Sequence, residues 1–105
     1  MADEMAQHDD GEGIEFLRAR IAELDSAVIR LLGERFAHVR LLGRWKALAD
    51  APIEDPAREA ELRALYLQPA QREGLDALLV LRIFEAVHEH SRAVQGAQGR
   101  RTRTA

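Results

Sequence analysis

This chain contains no cysteine, and only one of its 15 basic residues is a lysine. Without cysteine it can form neither a disulfide framework nor a thiolate zinc site, and it has no cysteine nucleophile. Aromatic residues make up 5% of the 105 residues, and no apolar run approaches the ~18–20 residues of a membrane span. We therefore expect one small domain of the cytoplasm that makes no contact with a membrane.

An excess of positive charge is also missing, since the formal net charge is −3. This argues against a nucleic-acid-binding protein, which typically shows a basic surface. The first 13 residues carry five acids and no Lys or Arg, unlike a signal peptide. We predict a disordered acidic arm over residues 1–12, a folded helical domain over 13–96 and a disordered basic tail over 97–105.

The folded part shows helical periodicity and no strand pattern. Apolar residues recur at alternating steps of three and four, which is typical of an amphipathic helix. These residues, here called the seam, are Ile14, Leu17, Ile21, Leu24, Val28 and Leu31. The pattern predicts a first helix over about 13–50, which ends where Pro52 requires extended backbone before it.

Two shorter helices follow. Asp55-Pro56 is typical of a helix start, with Asp as the N-cap and Pro at the first helical position. The second helix is predicted from Pro56 to about Gln68. Asp76 is a candidate cap for a third helix that ends near Gly96. The sequence thus predicts an all-α chain of one long, one short and one medium helix.

The length of the first helix predicts an oligomer. A 38-residue helix is about 57 Å long, whereas a compact globule of this size is about 33 Å across. Two shorter helices cannot cover the seam along that length, so we expect a two-fold homodimer in which the long helices pack together. The alternative is a break near Gly33 or Gly43 that gives a monomeric bundle.

Polar residues replace apolar ones at two places in the pattern. After Leu31 the first helix places Arg35 on the seam. Its guanidinium is expected to form a structural ion pair, to reach solvent at the helix edge, or to contact a bound anion. On the third helix a stripe of apolar residues continues as His88, Ser91 and Gln95. This change indicates a wet cavity or, alternatively, a helix end that emerges into solvent.

Several basic residues could share one ligand. Arg35 and Lys46 lie on one face of the first helix, ~16 Å apart along its axis. Arg18 lies ~25 Å from Arg35, so in an antiparallel dimer it could reach the site from the partner chain. The segment around Arg58 adds a further Arg and three acids. Together these residues predict an Arg-lined pocket for a small ligand with several carboxylates.

No nucleophile–base pair, metal-ligand arrangement or Gly-rich phosphate loop is visible in the sequence, so we expect no metal and no cofactor. His88 and His90, for example, point to different faces of a helix. An enzyme built from these residues would act by positioning and electrostatics.

At this point the sequence resembles a known family. Residues 17–62, LRARIAELDSAVIRLLGERFAHVRLLGRWKALADAPIEDPAREAEL, and residues 74–95, GLDALLVLRIFEAVHEHSRAVQ, are similar to the all-helical AroQ-type chorismate mutases. Six or more polar positions match in order across three helices. The resemblance implies three helices per chain, an intertwined homodimer, and conversion of chorismate to prephenate in the biosynthesis of aromatic amino acids.

The resemblance also implies roles for individual residues. Arg18 resembles the Arg that one chain donates to its partner's site, and Arg35 resembles the Arg that binds a carboxylate within its own chain. Lys46 and Gln95 resemble the pair that contacts the ether oxygen of the breaking C–O bond. The remaining matches contact the substrate's hydroxyl or its carboxylates: Asp55, Arg58, Glu59 and Ser91.

These residue types suit the reaction, which is unimolecular and needs no proton transfer. The ether oxygen gains negative charge in the transition state, and a compact ammonium beside it stabilises that state more than the ground state. This fits a chain that otherwise uses only Arg yet has Lys at position 46. Two residues depart from the family pattern. His88 stands where an aliphatic residue is expected, and it is interpreted either as a packed neutral imidazole or as an added hydrogen-bond donor. Trp45 stands where a smaller or phenolic residue is expected, and it is interpreted as packing at the dimer interface.

Other functions are also compatible with the sequence. Relatives with this fold include mutases for 4-amino-4-deoxychorismate and isochorismate–pyruvate lyases. The segment from Asp55 to Glu59 favours the chorismate enzyme, because those relatives tend to lack its Arg-Glu arrangement. A non-catalytic helical dimerisation module would explain the long seam. It would not explain why Arg35, Lys46, Ser91 and Gln95 interrupt apolar faces, since adaptors place charges beside the seam.

Overall fold

A computed structural model of the chain describes residues 10–104, and the side chains of residues 10–102. It contains three helices: α1 (Asp10–Leu48), α2 (Pro56–Arg72) and α3 (Ala77–Thr104). No strand occurs within these described residues. The predicted all-α architecture of one long and two shorter helices is therefore confirmed.

Helix α1 is unbroken through both of its internal glycines, so the predicted alternative of a break near Gly33 or Gly43 is wrong. The structure starts this helix at Asp10, whereas the sequence predicted disorder up to residue 12. Asp10 and Glu12 lie in its first turn, where acids interact favourably with the helix dipole. The remainder of the predicted acidic arm, residues 1–9, lies outside the described residues.

Both predicted helix caps are confirmed. Asp55 Oδ1 accepts a hydrogen bond of 3.0 Å from the backbone N–H of Arg58, and Asp76 Oδ1 accepts one of 3.3 Å from that of Leu78. Helix α2 ends at Arg72, four residues beyond the predicted end, and continues through Pro69. The backbone N–H of Glu73 donates to Pro69 O at 3.0 Å and closes this last turn. Gly74, with a φ of +67°, makes the left-handed turn that follows.

Helix α3 continues to Thr104, whereas the sequence predicted a disordered tail from residue 97. Gly96 and Gly99 lower helix propensity but do not end a helix, and the surrounding Ala, Gln and Arg residues favour one. Gly96 also lies near the side chain of Ile53, since a Cβ added there would be 3.8 Å from Ile53 Cδ1. In the predicted tail, residues 97–99 are half-buried, and a Cβ added to Gly43 of α1 would lie 3.2 Å from Gln98 Cβ. The start of the predicted tail is therefore held by packing.

The chain divides into two compact units, residues 1–35 and 36–105. In the second unit, α2 packs on α3 through the stacked rings of Tyr66 and Phe84, whose centroids are 4.1 Å apart. The second part of α1 packs on α3 through an edge-to-face contact of Phe36 and His90, with centroids 5.0 Å apart. Small side chains at Val87 and Ala70 complete the buried interior.

The described part of the first unit is a single helical segment whose seam is not covered. The six seam residues are each between 45% and 56% exposed. Among the described residues, no helix is long and apolar enough to cross a membrane.

Candidate active site

The buried polar stripe of α3 is the centre of the candidate site. His88, Ser91 and Gln95 are each only 6% exposed. Residues three and four apart lie on one helix face, so the three side chains form one column. Their burial contradicts the alternative in which this end of the helix emerges into solvent.

Gln95 lies where α3 crosses α1. A Cβ placed on Gly43 would come within 2.8 Å of Gln95 Cα and 3.1 Å of Gln95 O, so the absence of a side chain at Gly43 permits the close approach. Gln95 Oε1 is buried and accepts no hydrogen bond from any described residue. Such an unsatisfied oxygen costs about 1–3 kcal/mol, and a bound donor would relieve that cost.

Lys46 lies one turn beyond Gly43 on α1, at the same end of the crossing. Its Nζ donates a hydrogen bond of 3.0 Å to Ile53 O. The backbone N–H of Ala51 donates to Lys46 O at 2.8 Å. The loop after α1 is therefore hydrogen-bonded to both the backbone and the side chain of Lys46. An ammonium has three donors, and the half-buried Lys46 keeps two of them for a ligand.

The rest of the stripe is satisfied locally. Ser91 Oγ donates to Val87 O at 2.7 Å. His88 Nε2 and the Tyr66 hydroxyl share a hydrogen bond of 3.0 Å. The sequence left open whether His88 packs as a core imidazole or adds a polar group to the site. The ring is buried, contacts Tyr66 and also lines a cavity. His88 therefore packs in the core, and its role as a donor to a ligand stays a prediction.

That cavity lies between α2 and α3 and has a volume of about 380 Å³. Glu59 enters it from the first turn of α2 and forms an ion pair with Arg92 on α3. Arg92 was missed by the sequence analysis. It follows Ser91 directly and lies one turn beyond His88, but its partner is 33 residues away in the chain, and no local pattern reports that contact. The six lining residues are Glu59, Arg63, Leu81, Glu85, His88 and Arg92.

The remaining predicted site residues of the second unit, apart from Glu59, do not line this cavity. Arg18 and Arg35 lie in the first unit, where Arg18 forms an ion pair with Glu15 at 3.1 Å and both side chains are 74% exposed. Arg58 forms an ion pair of 3.0 Å with Glu61 on the exposed side of α2. Asp55 caps α2. Within the second unit the structure thus brings Glu59 and His88 to one cavity, and it places Lys46 three residues beyond the close approach of Gly43 to Gln95.

The comparisons with known proteins agree with the arrangement of the helices. A family model described as chorismate mutase type II matches residues 17–96. This chain belongs to the chorismate mutase type II family. The resemblance read from the polar motif is confirmed, and with it membership in a family whose namesake activity is an isomerisation.

Three relatives of this chain carry different activities in their names. A chorismate mutase of Methanocaldococcus jannaschii is 27% identical over 79 residues, which are 75% of this chain and 80% of that protein. A bifunctional chorismate mutase/prephenate dehydratase of Escherichia coli is 32% identical over 77% of this chain and only 21% of its own length. An isochorismate pyruvate lyase of Pseudomonas aeruginosa is 31% identical over 96% of this chain and 99% of that protein. No solved structure gives a significant match.

Among the described residues, no group of three or more His, Asp or Glu side chains could hold a metal ion. The groups that the candidate site offers are an ammonium, an amide, a hydroxyl, an imidazole and a carboxylate–guanidinium pair. These groups can bind and polarise an anionic ligand.

Proposed function

We propose that this protein is a chorismate mutase, which converts chorismate to prephenate by a Claisen rearrangement. The observation that carries the proposal is the Gln95 amide, whose Oε1 is buried without a donor where α3 approaches Gly43, three residues before Lys46 on α1, in a member of this family. A structural core would pair or replace such an amide. A site that awaits a polar ligand keeps it.

Lys46 Nζ and the Gln95 amide are proposed to donate hydrogen bonds to the ether oxygen of chorismate. Gln95 does so through Nε2–H, so its amide turns from the free-state orientation in which Oε1 is left unpaired. As the C–O bond breaks and the new C–C bond forms, negative charge develops on this oxygen. The Lys46 ammonium stabilises that charge in an environment from which water is partly excluded. Its hydrogen bond to Ile53 O holds the flexible side chain in the site before substrate arrives, which lowers the entropic cost of binding.

Arg35, and Arg18 from the partner chain, are proposed to bind the two carboxylates. Fixing both carboxylates holds the enolpyruvyl side chain over the ring, and this positioning supplies much of the rate acceleration in a unimolecular reaction. Arg18 would have to leave Glu15 to do so. That exposed pair contributes at most about 1 kcal/mol, so the exchange for a substrate carboxylate is favourable.

The remaining residues are proposed to orient the ring. The Glu59 carboxylate accepts a hydrogen bond from the ring hydroxyl of chorismate. Asp55 caps α2 and so fixes the turn from which Glu59 enters the cavity. Ser91 can rotate from Val87 O to donate to a carboxylate. Arg58 can exchange its exposed ion pair with Glu61 for the substrate. No proton is transferred in the rearrangement, so none of these residues acts as a base.

The site is proposed to be completed by a second copy of the chain. The six seam residues of α1 are about half exposed, and burial of such side chains contributes roughly 25 cal/mol per Å². A two-fold partner that packs along the seam buries them and delivers its Arg18. The homodimer and a cytoplasmic location both stay predictions.

A second candidate function rests on a specific observation. The isochorismate pyruvate lyase of Pseudomonas aeruginosa matches nearly the whole chain, so elimination of pyruvate from isochorismate is the rival activity. The segment from Asp55 to Glu59 favours the mutase. Action on 4-amino-4-deoxychorismate is a third possibility, and a non-catalytic dimerisation module is the non-enzymatic one.

The experiment incubates the purified protein with chorismate and with isochorismate in separate reactions and identifies the products. Prephenate formed from chorismate at an enzymatic rate supports the mutase. Pyruvate released from isochorismate, with chorismate unchanged, identifies the lyase instead. If neither substrate reacts and a prephenate-like dicarboxylate does not raise the melting temperature, the dimerisation module is favoured.

A further inference from the structure

The ion pair between Arg92 and Glu59 differs from the surface ion pairs of this chain. Four ion pairs elsewhere in the described residues each join side chains three or four positions apart on one helix, and those side chains are between 55% and 74% exposed. Arg92 instead joins α3 to α2, and the two side chains are only 34% and 25% exposed. Water therefore screens this pair less than the others.

The pair also lies inside the candidate site. Arg92 and Glu59 both line the 380 Å³ cavity, together with His88 from the buried stripe. Arg92 lies next to Ser91 in the chain and three residues before Gln95, so all three project from the same two turns of α3. The guanidinium is thus held at the carboxylate that the proposed function assigns to the substrate's ring hydroxyl.

The charge on this carboxylate decides which ring substituent it can receive. A lone carboxylate in a half-buried cavity attracts cations, so it would bind an ammonium group of the ligand favourably. The Glu59–Arg92 pair has no net charge, and Glu59 has a second oxygen to accept a hydroxyl. An ammonium at the same place would lie beside the Arg92 cation, and repulsion between like charges is strong where screening is weak.

We propose that Arg92 is a specificity-determining residue that selects a hydroxyl over an ammonium at the ring position facing Glu59. The inference rests on the proposed function, because that function places the ring hydroxyl there. Rejection comes from the repulsive element and not from a better contact with the correct substrate, which is a common way to discriminate between similar ligands.

The test measures kcat/KM for chorismate and for 4-amino-4-deoxychorismate, and compares their ratio between the wild-type protein and two variants. Arg92→Met keeps the aliphatic length and removes the cation, so preference for the amine should rise about tenfold. Glu59→Gln removes the anion and leaves the cation, so preference for the amine should fall by about tenfold. Circular dichroism and melting temperature monitor folding.

The opposite signs distinguish specificity from structure. If the ion pair only joins α2 to α3, both variants lose the same bridge, and the ratio stays constant or moves in one direction. Either result overturns the inference. Arg63→Met is the matched control, because it removes a cation from the same cavity and leaves the Glu59–Arg92 pair intact. A shift in Arg63→Met as large as that in Arg92→Met would also contradict the inference.

The wild-type activities distinguish a failure of the proposed function from a failure of this inference alone. If the wild-type protein acts on neither substrate, the proposed function fails and this inference fails with it. If the wild-type protein acts on chorismate and the ratio does not move, only the inference fails. If Arg92→Met does not fold, Glu59→Gln and Arg92→Lys decide, since Arg92→Lys keeps the positive charge and should retain the wild-type preference.

Discussion

The two parts of helix α1 belong to one unbroken helix, but their apolar residues differ in pattern and in burial. In residues 10–35 the seam is regular and every one of its six apolar residues is about half exposed. In residues 36–48 the apolar pattern is less regular, yet Val39 and Gly43 are buried against the rest of the second unit. The regular, exposed apolar face is the reason for which we propose a partner chain, and the buried polar residues are the reason for which we propose a ligand site.

The largest expected effect on turnover comes from a change in residues 36–48 of α1. Lys46→Ala should lower kcat for chorismate by about 10²–10³, the usual effect of removing one charge contact to a developing oxyanion. The fold should persist, because Lys46 is half-buried and its own partner is a loop carbonyl. Steady-state kinetics and circular dichroism check both statements.

Arg44→Ala is the matched control for Lys46→Ala, since Arg44 is an exposed cation two residues earlier on the same helix. Its kcat should stay within about twofold of wild type. Equal losses in both variants would mean that general charge, and not the Lys46 ammonium, supports turnover. Full activity in Lys46→Ala would refute the assigned mechanism.

The second prediction tests whether Arg18, in residues 10–35 of α1, contributes to the site of a partner chain. Arg18→Ala and Arg35→Ala should each be nearly inactive. Mixing them in equal amounts after subunit exchange should restore about a quarter of wild-type activity. Half of the dimers are then mixed, and in each of these one of the two sites regains both Arg residues.

The control for this experiment mixes Arg18→Ala with an Arg18→Ala/Arg35→Ala double variant, which has no route to a whole site. Recovery in both mixtures, or in neither once exchange has been demonstrated by mass spectrometry, would count against a site shared between chains.

The third prediction breaks the seam itself. Val28→Glu places a charge among half-exposed apolar residues, and burial of an unpaired charge is costly. We expect the dimer to dissociate at protein concentrations about 10–100 times higher than for wild type, since 1.4–2.8 kcal/mol of lost association energy corresponds to that range. Analytical ultracentrifugation measures the change.

Ser26→Glu introduces the same side chain two positions earlier, about 160° around the helix from Val28. It should leave the dissociation constant within about threefold of wild type. If both variants dissociate alike, added negative charge and not the seam is the cause. An unchanged dimer in Val28→Glu would show that another surface joins the chains.

Local chemistry explains which features the sequence could predict. The caps at Asp55 and Asp76 involve backbone groups two or three residues away, so spacing alone predicts them. The polar stripe ending at Gln95 is a property of one helix face, and its periodicity is visible in the sequence. The family motif adds the residues whose roles no periodicity can assign, such as Lys46.

The features that were missed depend on distant contacts. Arg92 meets Glu59 from the other side of a cavity, and His88 meets Tyr66 across 22 residues. Helix α3 passes through Gly96 and Gly99, and a Cβ added to Gly43 of α1 would lie 3.2 Å from Gln98 Cβ. Each of these outcomes depends on which helix lies opposite, and that information is not contained in a local window.

The smallest expected effect compares two glycines of α1, one in each part. Gly43→Ala would place a Cβ 2.8 Å from Gln95 Cα and 3.1 Å from Gln95 O, both backbone atoms that cannot rotate away. Separation of α1 from α3 should lower the free energy of unfolding by about 1–3 kcal/mol. It should also reduce turnover, because Gln95 moves with α3.

Gly33→Ala is the counterpart, because a Cβ there meets nothing within 4 Å. The change removes backbone entropy from the unfolded chain and should raise the free energy of unfolding by up to about 1 kcal/mol. Urea unfolding at one fixed protein concentration measures both variants. Opposite signs are expected because only Gly43 is needed for a close approach of two helices within the unit. A gain in Gly43→Ala would mean that the crossing can widen freely, and that Gln95 is not held where the proposed reaction needs it.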